Sequence, residues 1–302
     1  MEDKLIKQEK IKGFIYVCVS ALLFASKGIL IKLAYNEKID PLSLLTFRMI
    51  FAVPFFVGIG LWLTLKEHPK IPLTDYILLI ILGLIGYYYS SLLDFYGLEY
   101  VTAGMERLIL FIYPTMVAVF SAIIFKKKIT KIMAFSLLMT YVGIMLVVVY
   151  DLSFNGIASL PGIIYIFLSA FTFALYLVFS DNLVHKFGSI RFSCYIMTTS
   201  SIGVFTHYLI NHSPSQLLGY SNNIYMLALG LGTFGTVIPA FLMTDGIKKI
   251  GARNTAITST LGPIFTIILA AIILGEPITF IQIAGTALVT GGVLLTNLYK
   301  GK

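Results

Sequence analysis

Ten times along its 302 residues the sequence delivers an apolar run of about 20 residues, the length a helix needs to cross the hydrocarbon core of a bilayer. The runs fall at about 13–33, 42–65, 75–96, 100–125, 132–150, 160–180, 190–210, 223–244, 250–274 and 279–298. Lipid offers no hydrogen bonds to a bare backbone, so spanning runs of this length must be helices. The connections are short, which leaves no room for an inserted soluble domain. Hiding the apolar surface in one soluble core is excluded by composition, with 58% hydrophobic and 12% charged residues and a mean hydropathy of +0.91. The expected fold is an all-α integral membrane protein with ten transmembrane helices.

The runs are also written twice. Residues 95–130 recur at 244–279 without a gap: Gly97 meets Gly246, Ala103 meets Ala252, Pro114 meets Pro263, Ala122 meets Ala271 and Thr130 meets Thr279, each 149 positions on. The same shift aligns Ser20 and Ala21 with Ser169 and Ala170, Phe24 with Phe173, Gly83 and Gly86 with Gly232 and Gly235, and Gly143 with Gly292. The organisation expected is a tail at 1–12, a five-helix unit at 13–150 and a second at 160–302. Five is odd, so the second unit enters the membrane upside down, and inverted repeats around a central cavity are the architecture of alternating-access transporters.

The net charge of +8 does not indicate nucleic acid, because the cations lie in clusters between apolar runs rather than on a soluble basic face. With the N-terminus placed in the cytoplasm, 17 of the 22 Lys and Arg fall on cytoplasmic segments, including Lys66, Lys70, Lys126, Lys127, Lys128, Lys248, Lys249, Lys300 and Lys302. The positive-inside rule therefore puts both termini in the cytoplasm of a plasma, or inner, membrane protein. The basic start and first run have the form of a signal peptide, but that run has a full counterpart in the second unit. Cys18 and Cys194 stand far apart within apolar runs and suggest neither a disulfide nor a zinc site. Gly230, Gly232 and Gly235 spell a dinucleotide fingerprint inside an apolar helix, where close packing explains them. No motif asks for a cofactor or a metal.

Ionisable residues inside lipid are expensive and point to function. Lys27, Lys32, Arg48, Asp94, Glu99, Glu106 and Arg107 all fall in or at the ends of the first four helices. Lys32 and Glu99, near helix ends, read as interfacial anchors, and Arg48 reads as a clamp on Glu106 or Asp94, or as a substrate contact. Glu106 and Arg107 project about 100° apart and are expected to find different partners. Tyr87, Ser91 and Asp94 share one face, and Glu106 shares one with Tyr113. In the second unit Lys27 becomes Tyr176, Glu106 becomes Thr255, Arg107 becomes Ala256 and Asp94 becomes Met243. That wall offers the hydroxyls of Tyr176, Thr255, Thr258 and Ser259. The expected substrate-binding set is Lys27, Tyr87, Ser91, Asp94, Glu106, Arg107, Tyr113, Tyr176, Thr255 and Ser259. One charged wall facing one neutral polar wall suits a zwitterionic or polar metabolite with an apolar part. Pro114, Pro239 and Pro263 are expected as helix kinks and candidate gates, with Arg48 as a structural clamp.

Over essentially its whole length the chain resembles the EamA-type members of the drug/metabolite transporter superfamily. The resemblance is carried by GLEYVTAG at 97–104, ERLILFIYPT at 106–115, IGARNTAITSTLGPIFTIILAAIILGEPIT at 250–279, FASKGILIK at 24–32 and LLTFR at 44–48. Phe24 and Ala25 replace the family's usual Trp-Gly pair, and Lys27 is an addition. The resemblance implies a secondary carrier, mostly an exporter of amino acids and related small metabolites, and not an enzyme. It also implies a cavity lined by helices 1, 3, 4, 6, 8 and 9, with helices 5 and 10 at the rim or in a homodimer contact. Expected partners are a small-molecule metabolite and membrane lipid. Two alternatives stay open: an importer of nucleotides or nucleotide sugars, which would need several basic residues for phosphates, and a membrane-embedded enzyme acting on lipids, which would need clustered Asp or His.

Overall fold

The computed structural model describes residues 2–67, 72–126 and 129–299, and only the backbone course at 2–7, 67, 155, 252–253 and 297–299. Met1, Lys70, Lys127, Lys128, Lys300 and Lys302, among them the first residue of the expected tail and the last of the second expected unit, lie outside the described residues. The helices are α1 (Glu2–Asn36), α2 (Pro41–Glu67), α3 (Leu73–Tyr100), α4 (Ala103–Ile124), α5 (Lys131–Asn155), α6 (Leu160–Phe187), α7 (Ser189–Asn211), α8 (Asn222–Gly251), α9 (Asn254–Leu274) and α10 (Phe280–Tyr299). Among the described residues there is no strand. Eight of the helices are long and apolar enough to cross a membrane, namely α1–α6, α8 and α9.

The remaining two differ from that set for readable reasons. Helix α10 carries a shorter apolar stretch, Phe280–Thr296. Helix α7 is diluted by hydroxyls, several of which turn back on the helix: Thr198 donates to the Cys194 carbonyl at 2.8 Å, Ser201 to that of Met197 at 2.8 Å and Thr206 to that of Ile202 at 2.8 Å. Such back-bonding satisfies the hydroxyl without water. At the other end of the chain, the basic segment read as a tail continues α1 from Glu2, and Glu9 joins Lys12 at 2.9 Å and Lys249 of α8.

The packing is reciprocal between the two halves. Helix α1 lies along α8 and α9 of the second half, while its counterpart α6 lies along α3 and α4 of the first; α2 pairs with α7, and α5 with α10. The two main crossings use matched glycines. Gly13 faces Gly246 across α1 and α8, and Gly162 faces Gly97 across α6 and α3, where an added Cβ would meet the opposite carbonyl or side chain within van der Waals distance. Small residues permit this backbone approach, which helices in lipid rely on for van der Waals attraction.

The interruptions recur at the same shift. A π-helical turn spans Leu84–Tyr89 in α3 and Thr233–Val237 in α8. In α8 the missing N–H of Pro239 leaves the carbonyl four residues back without its helical partner, but α3 has Ser90 at that position, so proline alone does not make the wide turn. Pro114 and Pro263 correct the expectation of kinked, continuous helices. Before each, the chain tightens to bonds three residues apart, Ile112 to Ile109 at 3.1 Å and Leu261 to Thr258 at 3.2 Å. A new helical turn then starts with the proline at its first or second position, where no backbone donor is required.

Candidate functional site

A cavity of about 600 Å³ opens between the halves. Its wall comes from α1, α3, α4, α6, α8 and α9, joined by Arg48 of α2, Ser193 of α7 and Val293 of α10. It extends from Lys27, Asp94 and Arg107 toward the end of the bundle where α8 gives way to α9, reaching Ile247 and Ala256.

Gly235, within the π-turn of α8, faces Lys27: a Cβ there would stand in ordinary contact, 3.9 Å from the Lys27 Cα and Cβ. In the other half Tyr176 is the counterpart of Lys27, and its ring lies on Gly86 of the α3 π-turn, where no Cβ could fit. The Lys27 Nζ sits 2.5 Å from Asp94 Oδ2 and 3.6 Å from Glu106 Oε1. The three side chains are 14%, 3% and 1% exposed, so this cluster of one cation and two carboxylates is shielded from solvent. Glu106 and Arg107 do part company, as their angular separation predicts: Glu106 turns behind the wall to Lys27, and Arg107 lines the cavity.

Arg48 departs from the expected carboxylate clamp. Its Nε donates to Thr236 Oγ1 at 2.9 Å and its Nη1 to Ser91 Oγ at 3.2 Å, with the guanidinium 5.8 Å from the Phe95 ring centroid. Thr236 in turn donates to the Leu231 carbonyl at 2.9 Å, so a hydroxyl of the π-turn anchors the arginine. Arg107 packs over Gly262, where a Cβ would come within 2.9 Å of Nη2. Its Nε is buried without a hydrogen-bond partner among the described residues.

Of the expected substrate-binding residues, Lys27, Tyr87, Ser91, Asp94, Arg107, Tyr113 and Ser259 line the cavity, as do Arg48 and Pro114. Tyr176 does not. It stands edge-on to Tyr87 at 5.4 Å and stacks on Phe192 at 6.2 Å, backing the wall instead of forming it. Thr255 is buried and donates to the Gly251 carbonyl at 2.9 Å. Pro239 and Pro263 also stay outside the lining, the former receiving Ser20 Oγ on its carbonyl at 2.7 Å. The hydroxyl wall thus reduces to Ser259, with Ser193 and Thr244 joining it. Two contributions to the site escaped the sequence reading. Phe173 bridges Tyr87 at 5.9 Å and Tyr113 at 5.2 Å into one aromatic wall. Thr236 holds Arg48, and it is the counterpart of Tyr87 at the 149-residue shift, which is the signal that could have found it.

A carboxylate ties the end of α9 to the start of α4. Gly275, at φ +68°, ends α9 and turns the chain so that the Glu276 N–H bonds the Ala270 carbonyl at 3.2 Å. The Glu276 side chain then accepts from the N–H groups of Ala103 at 2.8 Å and Gly104 at 3.1 Å. Thr102 Oγ1 accepts from Met105 N at 3.2 Å, so the three free donors of Ala103, Gly104 and Met105 are satisfied before the first helical bond, from Glu106 N to the Thr102 carbonyl at 2.9 Å. Beyond this latch lies a surface pocket of about 470 Å³ that includes Lys32, Asp40 and Glu99.

The profile of the EamA-like transporter family matches residues 11–149 and again 160–298. An uncharacterized transporter of Bacillus subtilis, YcbK, is 34% identical over 292 residues, covering 94% of this chain and 92% of that protein. Another from the same organism, YyaM, is 28% identical with 72% of each chain covered. An uncharacterized inner membrane transporter of Salmonella typhimurium, YicL, is 22% identical over 95% of each. A solved crystal structure shares the fold at a TM-score of 0.62 and 14% identity, with 96% of both chains covered.

Proposed function

The chain belongs to the EamA-like transporter family, and from that premise we propose a secondary transporter that exports amino acids or related small polar metabolites through the central cavity by alternating access. The carrying observation is the Lys27–Asp94–Glu106 cluster on a cavity enclosed by both halves. Charge at membrane depth is tolerated where it faces protein or a water-filled path, and such residues mark routes of translocation. In this reading all ten helices cross the membrane, five in each of two inverted repeats at 13–150 and 160–302. The excess of Lys and Arg at one end supports placing both termini in the cytoplasm.

The cavity then faces the cytoplasm and the Glu276 latch closes the outer side. Transport requires the latch to open and the inner end to close. The π-turns of α3 and α8 and the breaks before Pro114 and Pro263 are the places where the helices bend. Lys27, Tyr87, Ser91, Asp94, Arg107, Tyr113 and Ser259 contact the substrate; Glu106, Tyr176 and Thr255 act from behind them. Helices α5 and α10 stand at the rim and face lipid or a second copy.

The test is flux. Cells overproducing the protein should gain efflux of, or tolerance to, members of a broad set of amino acids and metabolites, and Glu106→Gln should lower that flux while inserting normally. No change for any compound sinks the reading. Undiminished flux by Glu106→Gln reduces that residue to scaffolding.

A further inference from the structure

The charge that a substrate can touch in this cavity is positive. Lys27 already has Asp94 at 2.5 Å and Glu106 at 3.6 Å, and those two carboxylates are 3% and 1% exposed. Among the described residues Asp94 Oδ1 and Glu106 Oε1 are buried and accept no hydrogen bond, and Glu106 Oε1 meets Lys27 only as the longer ion pair. A cationic group entering the site therefore finds one carboxylate on the wall, Asp94, and its Oδ2 is already taken by Lys27. The arginines are in the opposite situation. Arg48 is held by two hydroxyls and Arg107 rests on Gly262, and among the described residues no carboxylate comes within ion-pair distance of either guanidinium. Arg107 is half-buried on the cavity wall, and with its Nε sealed it presents its Nη groups.

Counted with both carboxylates ionised, the three cations exceed the two carboxylates by one positive charge. A guanidinium without a counter-ion at membrane depth is costly, and a bidentate anion answers its planar fork. The neighbouring wall is aromatic: Tyr87, Phe173 and Tyr113 form an edge-to-face chain beside Arg107.

We propose that the substrate is a small organic monoanion, a carboxylate on Arg107 with an apolar body along Tyr87, Phe173 and Tyr113, and that it carries no ammonium group. This rests on the transport reading and sets aside its amino-acid substrates in favour of related metabolites, because a free amino acid would leave its ammonium facing Lys27 and the two arginines. One negative charge balances the wall, whereas a phosphate dianion would overshoot it.

Four probes with one ring and different head groups test the assignment on purified protein in detergent: 3-phenylpropionate, L-phenylalanine, phenethylamine and phenyl phosphate. The expected result is binding of 3-phenylpropionate at least about tenfold tighter than each of the others, equivalent to about 1.4 kcal/mol. Arg107→Gln should lose that preference and Arg107→Lys should keep part of it, with ligand-free melting reporting that both variants fold. L-phenylalanine or phenyl phosphate binding as tightly as 3-phenylpropionate overturns the inference, as does Arg107→Gln with unchanged selectivity. In proteoliposomes, flux of L-phenylalanine without flux of 3-phenylpropionate overturns it and leaves the transport reading standing. Flux of nothing from a broad metabolite set overturns the transport reading itself.

Discussion

Replacing Lys27 by methionine should destabilise this protein more than any single change to its two partners. The ammonium is the only cation within ion-pair distance of Asp94 and Glu106 among the described residues, at 2.5 and 3.6 Å. All three side chains are less than a fifth exposed, so solvent screening discounts little of the interaction. Removing one member of a buried pair and stranding its partner costs about 3–5 kcal/mol. Asp94→Asn is milder, about 1–3 kcal/mol, because Lys27 then keeps Glu106 and the amide retains an acceptor. At roughly 2–4 °C per kcal/mol for a chain of this size, Lys27→Met should melt roughly 6–20 °C lower in detergent. Melting followed by the loss of monodisperse protein on size-exclusion chromatography reads this directly. Adding Asp94→Asn to Lys27→Met removes one stranded carboxylate and should recover part of the loss. Lys27→Met melting within about 2 °C of the parent refutes the argument, and so does a larger fall for Asp94→Asn than for Lys27→Met.

Gly86→Ala places a methyl inside the Tyr176 ring and should cost about 1–3 kcal/mol through overpacking. Gly235→Ala, which meets Lys27 only at 3.9 Å and the movable end of Leu231 at 3.2 Å, should cost less, and equal melting temperatures would contradict the steric account. Glu276→Ala removes a carboxylate from two backbone donors, interactions worth about 1.5–3 kcal/mol to a charged acceptor, so the closed outer end should open about tenfold or more often. A cysteine at Ser91 should then react faster with an impermeant thiol reagent applied outside, and an unchanged rate would remove the latch from the gating cycle. Single cysteines at Lys126 and Lys248 should label from the same, cytoplasmic side of intact vesicles. Labelling from opposite sides would overturn the inverted arrangement.

The apolar runs, the 149-residue shift and the intramembrane charges were legible because each is a property of one segment or of two segments compared. Lys27, Asp94 and Glu106 were singled out as charges that need partners, and they are one another's partners. The choice of partner was not legible for Arg48, since the sequence names carboxylates and hydroxyls alike and only the approach of α8 brings Thr236 to 2.9 Å. Tyr176 and Thr255 were placed on a wall by their position in the repeat. Which way a helix is rotated against its neighbours depends on packing such as the contact of Tyr176 with Gly86, and helical periodicity carries no information about that. The breaks before Pro114 and Pro263 read as kinks for a similar reason: a proline announces a lost donor, but not whether the chain bends there or starts a new helix. Glu276 sits in a connection outside every apolar run, and its role depends on the left-handed Gly275 aiming it at a helix start from the other half.

Because α1 lies along α8 and α9, and α6 along α3 and α4, neither half owns the surface that covers its own first helix. A fragment ending near residue 155 would strand α1 without the groove it occupies, although it contains five helices. Two separately synthesised fragments should therefore recover a native bundle only by exchanging their first helices, in the manner of a swapped dimer. A protein built from two copies of one half would close by the same exchange, and the positions matching 27 and 176 would then hold the same residue.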